Sequence, residues 1–193
     1  LISVADRHEV GAHSLTHQDL RYLSKPALVK EIKGSKVFLE DAVGHVVDTF
    51  CYPKGQYNRR VREAVENAGF LGARTTREFS LTTGDDPFRM PVTLLTFPLP
   101  PVIRLRHELI TLNLRGLRTL LTLGIKSTWV TWAETLFFQA LELGGVLHLF
   151  GHSWEIEGFR LWDDLREVFG VVSRKEGVDY LTNGQALSRH WPA

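Results

Sequence analysis

Apolar positions along this chain recur in two rhythms, one helical and one strand-like. Leu28, Ile32, Leu39 and Val43 return at roughly helical spacing, with Lys30, Glu31 and Glu40 on the wet side. Ser24-Lys-Pro26 opens this helix, serine suiting the cap and proline the first turn, and Gly44 ends it. Val46–Tyr52 reads as a buried strand running into a Pro53-Lys54-Gly55 turn. Asn58 caps a second helix with Val61, Ala64, Val65 and Ala68 as its buried stripe and Gly69 as its stop. A strand from Phe70 to Thr76 follows, then a turn-rich loop region from Arg77 to Pro101.

Beyond it, Val102–Lys126 is leucine-rich and basic, with Arg104, Arg106, Arg115, Arg118 and Lys126, and predicts one or two amphipathic helices covering a sheet. The remaining predicted elements are a helix Trp132–Leu143 ended by Gly144-Gly145 and a strand Val146–Phe150. After these come a helix from Leu161 to about Arg174, a strand Val178–Thr182 and a short helix after Asn183. Strands alternating with helices predict an α/β architecture with a largely parallel sheet.

A chain of 193 residues suits one domain, spanning 1–193, with a sizeable core. A net charge of +1 argues against a polyanion as main partner, so no nucleic acid is expected. No apolar run approaches the ~20 residues of a membrane span. Leucine and arginine also mix in this way on membrane-surface helices, but sheet cover is the default role for the basic stretch. The single cysteine, Cys51, has no intramolecular disulfide partner. The text begins at Leu1, already inside a structured pattern, so an upstream segment is expected. Location, cytoplasmic or cell envelope, is left open.

In parallel α/β folds functional side chains gather at the carboxyl ends of strands. Three candidates fall there. His13 and His17 lie four residues apart. On a helical turn they would share a face, and both rings could reach one divalent ion. Two satisfied surface or core histidines would look the same. The Tyr52-Pro53-Lys54-Gly55 turn is the second candidate. The third is His152, after the strand Val146–Phe150, where Trp154 and Glu155 stand beside a ring suited either to proton transfer or to capping the strand.

These residues carry a resemblance. His8-Glu-Val-Gly-Ala-His13-Ser-Leu-Thr-His17 is similar to the second motif of the polysaccharide deacetylase (NodB-homology) family. Phe50-Cys-Tyr-Pro53-Lys-Gly55 resembles its third motif, and Leu149-Phe-Gly-His152 its late Leu-x-Leu-His motif. The resemblance implies a distorted (β/α) barrel and hydrolysis of an N- or O-acetyl group on a carbohydrate. It implies an Asp-His-His metal site, usually zinc, in which His13 and His17 are the imidazole ligands. His152 would be the general acid, and the Lys54 N–H would help hold the oxyanion. Leu149 would form one wall of the acetyl pocket, with Tyr52, Pro53 and Trp154 also against the substrate. Gly151 departs from the motif's second leucine, and Cys51 stands where relatives have arginine.

The family's first motif, Thr-Phe-Asp-Asp-Gly, supplies the catalytic base and the third metal ligand, and it does not occur in this sequence. Asp85-Asp86 lies in a turn and Asp163-Asp164 opens a surface helix, so neither replaces it. The expectation is a barrel lacking its first strand through amino-terminal truncation, weak in metal and impaired in activity. Its exposed sheet edges would invite self-association. The alternatives are a non-catalytic glycan-binding pseudoenzyme and an amidohydrolase acting on a non-sugar amide.

Overall fold

The computed structural model describes residues 2–110, 112–124 and 128–191; Lys126 of the basic stretch lies outside them. A short helix α1 (Ile2–Ala5) precedes α2 (Lys25–Val43), which starts after Ser24 with Pro26 in its first turn. It ends at Gly44, whose φ of 76° is the left-handed conformation a helix stop favours. Strand β1 (Thr49–Cys51) leads into the 3-10 turn Pro53–Gly55. Helix α3 (Arg59–Asn67) follows, its first turn closed by the Asn58 side chain accepting from the Val61 N–H, and then β2 (Gly72–Arg74). After β3 (Leu94–Leu95) come α4 (Pro101–Ile110), α5 (Leu114–Leu123) and α6 (Trp129–Leu143). Strand β4 (Leu149–Phe150), α7 (Ser153–Gly158), α8 (Trp162–Val172) and α9 (Asn183–His190) complete the order.

The chain divides into two compact units, the first comprising Leu1–Thr76, Thr83–Met90 and Tyr180–Ala193, the second Arg77–Thr82 and Pro91–Asp179. In the first, β1 and β2 pair in parallel, and isolated parallel bridges extend the array by Ala12 beside Phe50 and Met90 beside Arg74. Leu20, Leu28, Ile32, Val47, Phe50, Val61, Val65 and Ala73 form its buried core. Helix α9 closes this unit. Asn183 Oδ1 accepts from Arg74 Nε at 2.9 Å, and the Gly184 N–H donates to Glu9 at 2.7 Å.

In the second unit β3 and β4 pair in parallel. Phe79, Leu94, Leu120, Trp129, Trp132, Leu136 and Val168 are its core. Arg104, at 1% exposure, lies inside this unit rather than on its surface. Its guanidinium is 2.8 Å from the buried Glu78 carboxylate, donates to Phe97 O, and stacks over the Trp132 ring. Burial pushes the Glu78 carboxyl up and the Arg104 guanidinium down, each against the pull of the other.

Several expectations need correction. Val178–Thr182 forms no strand: Val178 is part-buried against the second core, but Tyr180 and Leu181 are exposed, so the stretch has no continuous buried face to hold it against a sheet. The strand expected over Val46–Tyr52 shortens to Thr49–Cys51, with Val46 in solvent. The loop region 77–101 contains β3, and α7 lies where the sequence pattern predicts no helix. Helix α6 begins at Trp129, because Thr128 caps it by accepting from the Thr131 N–H. Glu31, expected on the wet side of α2, is buried.

Candidate active site

The His13–His17 segment is a loop and not the helical turn its spacing predicted, with Ser14 and His17 in the left-handed region at φ 63° and 58°. The rings converge all the same: their centroids lie 4.8 Å apart at 64°. Their anchor is the sheet. Ala12 is bonded on both sides to the β1 backbone, its N–H to Thr49 O and its carbonyl to the Cys51 N–H, both 2.8 Å. This brings Gly11 so close that an added Cβ would meet Thr49 Oγ1 at 2.9 Å. His13 follows at the carboxyl end of that register, its Nδ1 at 2.7 Å from Cys51 O. A carbonyl only accepts, so Nδ1 donates to it, as it does in an imidazole that ligates a metal through Nε2.

The next turn is also strained into shape. Lys54 has φ 56° and Gly55 φ 67°, and a Cβ on Gly55 would stand 2.0 Å from Thr76 Oγ1. The Gly55 N–H donates to Tyr52 O and the Gln56 N–H to Pro53 O; the Lys54 N–H is not one of the donors that close the turn. Lys54 is exposed and Pro53 buried. Tyr52, expected against the substrate, has 0% exposure, stacks on Tyr57 and donates its hydroxyl to Phe88 O at 3.0 Å. Its side chain is therefore core. Burial pushes the Cys51 thiol up to about 11, with Arg74 pulling the other way. It likewise brings Arg74 down to about 10.

In the second unit, Thr96 N donates to Phe150 O at 2.8 Å and the Thr96 side chain fills the space beside Gly151, where a Cβ would meet Thr96 Oγ1 at 2.0 Å. That accounts for glycine where the related motif has leucine. His152 starts α7 and shares a 2.6 Å hydrogen bond between Nδ1 and Glu155 Oε2, a residue to which sequence reasoning gave no fixed part. Trp154 stacks on the His152 ring at 5.3 Å and is 67% exposed, while Leu149 is half-buried in β4. The structure thus brings His13 together with His17, and His152 together with Glu155 and Trp154. Among the described residues no three His, Cys, Asp or Glu side chains gather as a metal site. Two neutral imidazoles fit a divalent ion as part of a ligand set. Among these residues no helix is long and apolar enough to cross a membrane.

The sequence pattern of the polysaccharide deacetylase family matches residues 2–73. A comparison with curated proteins gives no significant match. The fold is similar to the crystal structure of a putative polysaccharide deacetylase from Mycobacterium smegmatis, at 15% identity and TM-score 0.67, covering 97% of this chain and 64% of that one. It is similar also to a probable polysaccharide deacetylase from Pseudomonas aeruginosa PAO1, at 18% identity and TM-score 0.66, covering 97% and 60%. The chain therefore spans less than two thirds of either solved protein. The fold class is the distorted (β/α) barrel of these deacetylases. With the polysaccharide deacetylase (NodB-homology) family this chain shares the sequence pattern over residues 2–73 and the fold over nearly its whole length, while that family's Thr-Phe-Asp-Asp-Gly motif does not occur in it.

Proposed function

We propose that the chain carries the imidazole part of a metal-dependent hydrolase that removes acetyl groups from a carbohydrate, acting on a carbon–nitrogen bond outside peptides. The observation that supports this best is the convergence of the His13 and His17 rings at 4.8 Å, with His13 Nδ1 donating to Cys51 O. His13 and His17 would hold the ion, and nitrogen donors in a small set suit zinc. When bound, such an ion polarises a carbonyl and lowers the pKa of water.

The remaining roles belong to the chain itself. The Lys54 N–H, on a turn that strained backbone fixes in place, is the donor for oxyanion charge. His152, oriented by Glu155, moves a proton. Leu149 and Trp154 are apolar surface for the acetyl methyl and the sugar. Tyr52 contributes only through its backbone, since its side chain is buried.

A second reading, a glycan binder without chemistry, is favoured by the lack of a three-residue donor cluster among the described residues. Zinc titration by calorimetry, with acetate release from acetylated chito-oligosaccharides and from a non-sugar acetamide, separates the readings. Weak zinc binding that His13→Ala abolishes supports the hydrolase site. Glycan binding with neither zinc nor acetate release supports the second reading. Release from the non-sugar amide alone would move the substrate class. Zinc affinity unaffected by both His13→Ala and His17→Ala would overturn the assignment of these residues.

A further inference from the structure

Two histidines on a loop aim at one point only if the three residues between them are held, and here the loop turns through left-handed Ser14 and His17, a conformation that side chains disfavour. Ser14 Oγ accepts from the His17 N–H at 3.0 Å, which secures one side of the turn. The middle is gripped from helix α2. Glu31, 7% exposed, takes three bonds from it: Oε2 accepts from the Leu15 N–H at 3.0 Å and the Thr16 N–H at 2.9 Å, and Oε1 from the Thr16 hydroxyl at 2.8 Å.

One turn further along the same helix, Gly34 leaves room for the Leu15 side chain, whose Cδ1 would lie 2.8 Å from a Cβ placed there. The mount is rigid, because Leu28 and Ile32 seat α2 in the core. Two backbone N–H groups and one hydroxyl converging on one buried carboxylate fix the peptide planes on either side of Leu15, and through them the direction in which both imidazoles leave the chain.

We propose that Glu31 is a positioning residue for a divalent-cation site at His13 and His17: it sets the angle between the two rings without touching the ion. The proposal rests on the metal reading of that pair. It predicts that loosening the loop from α2 weakens metal binding although both ligands remain. Carboxylates and carbonyls that orient ligands typically change affinity 10–100-fold when removed. Glu31→Gln leaves a single side-chain oxygen for three donors.

The test uses the full chain and zinc alone as probe. Calorimetry is run on the wild type, Glu31→Gln, Thr16→Val and the ligand control His17→Ala, alongside NMR contacts between the two imidazoles and hydrogen exchange at the Leu15 and Thr16 amides. Glu31→Gln is expected to weaken zinc binding about tenfold, with loss of the ring–ring contact and faster exchange at both amides. Thr16→Val, which removes only the hydroxyl bond, should give a smaller loss in the same direction at an unchanged unfolding midpoint; should Glu31→Gln not fold, this variant decides. Wild-type zinc affinity with an intact ring–ring contact in both variants would overturn the proposal. Should the wild type itself bind no zinc, the metal reading fails separately. The ring–ring contact then decides: its loss in Glu31→Gln sustains the positioning role, and its persistence ends it.

Discussion

Replacing Arg104 with methionine removes a guanidinium that is 1% exposed and 2.8 Å from Glu78 Oε1. The carboxylate left behind is 6% exposed and keeps the Leu95 N–H, at 2.7 Å, on the same oxygen. Breaking a buried pair from one side strands a charge and costs about 3–5 kcal/mol. Phe97 O also loses a donor. In a chain of this size that lowers the thermal midpoint by on the order of 10 °C.

Methionine at both positions removes the stranded charge; the Leu95 N–H then lacks its acceptor, which costs about 1–3 kcal/mol. The double variant should therefore be more stable than Arg104→Met alone. Urea unfolding followed by tryptophan fluorescence is the assay, and Trp132 is a local reporter because the Arg104 guanidinium lies 4.9 Å from its ring. A wild-type urea midpoint for Arg104→Met, or a double variant as unstable as the sum of the singles, would refute the argument. The result bears on the site, since Glu78 anchors β3 through Leu95 and β3 pairs with β4, which leads to His152.

Cys51, with its thiol pushed up to about 11 by burial, should resist iodoacetamide at pH 8 in the folded chain and react readily once urea unfolds it; equal rates in both states would contradict its burial. His107 is half-exposed, and its hydrogen bond to Glu108 raises its pKa. Its stabilising contribution is therefore complete below the unfolded value and declines as pH rises through the folded one. Solvent screening limits it to under about 1 kcal/mol. Urea midpoints compared at pH 5.5 and 8 should differ by more in the wild type than in His107→Gln. Gly55→Ala, forced to φ 67° and toward Thr76 Oγ1, should cost about 1–3 kcal/mol, and Thr76→Ala should recover part of it. Unfolding of the single and double variants measures this, and an undiminished midpoint in the single would show that the turn yields.

The long amphipathic helices were readable because their cues are local. The spacing of Leu28 and Ile32, the Asn58 cap and the glycines after α2 and α6 act within a turn or two of the chain. Strand β3 was not readable. Two leucines among prolines and threonines have no periodicity, and what makes them a strand is β4, more than fifty residues away. Glu31 was misread for a related reason: helical spacing puts it beside Lys30, yet its partners are donors from a loop that precedes the helix. His13, His17 and His152 were legible as candidates from residue type and spacing alone. Their mounting was not, because the Cys51 carbonyl and the Glu31 carboxylate act across sequence distance.

The stitch between Glu9 and Gly184 spans 175 positions, and beside it Leu187 packs against Gly72 so tightly that a Cβ there would lie 2.6 Å from Cδ2. A ribosome must therefore deliver the chain through α9 before the piece bearing the paired imidazoles can be sewn shut. Until then, the face of the β1–β2 ladder that α9 will cover stands open, within reach of chaperones or of neighbouring nascent chains.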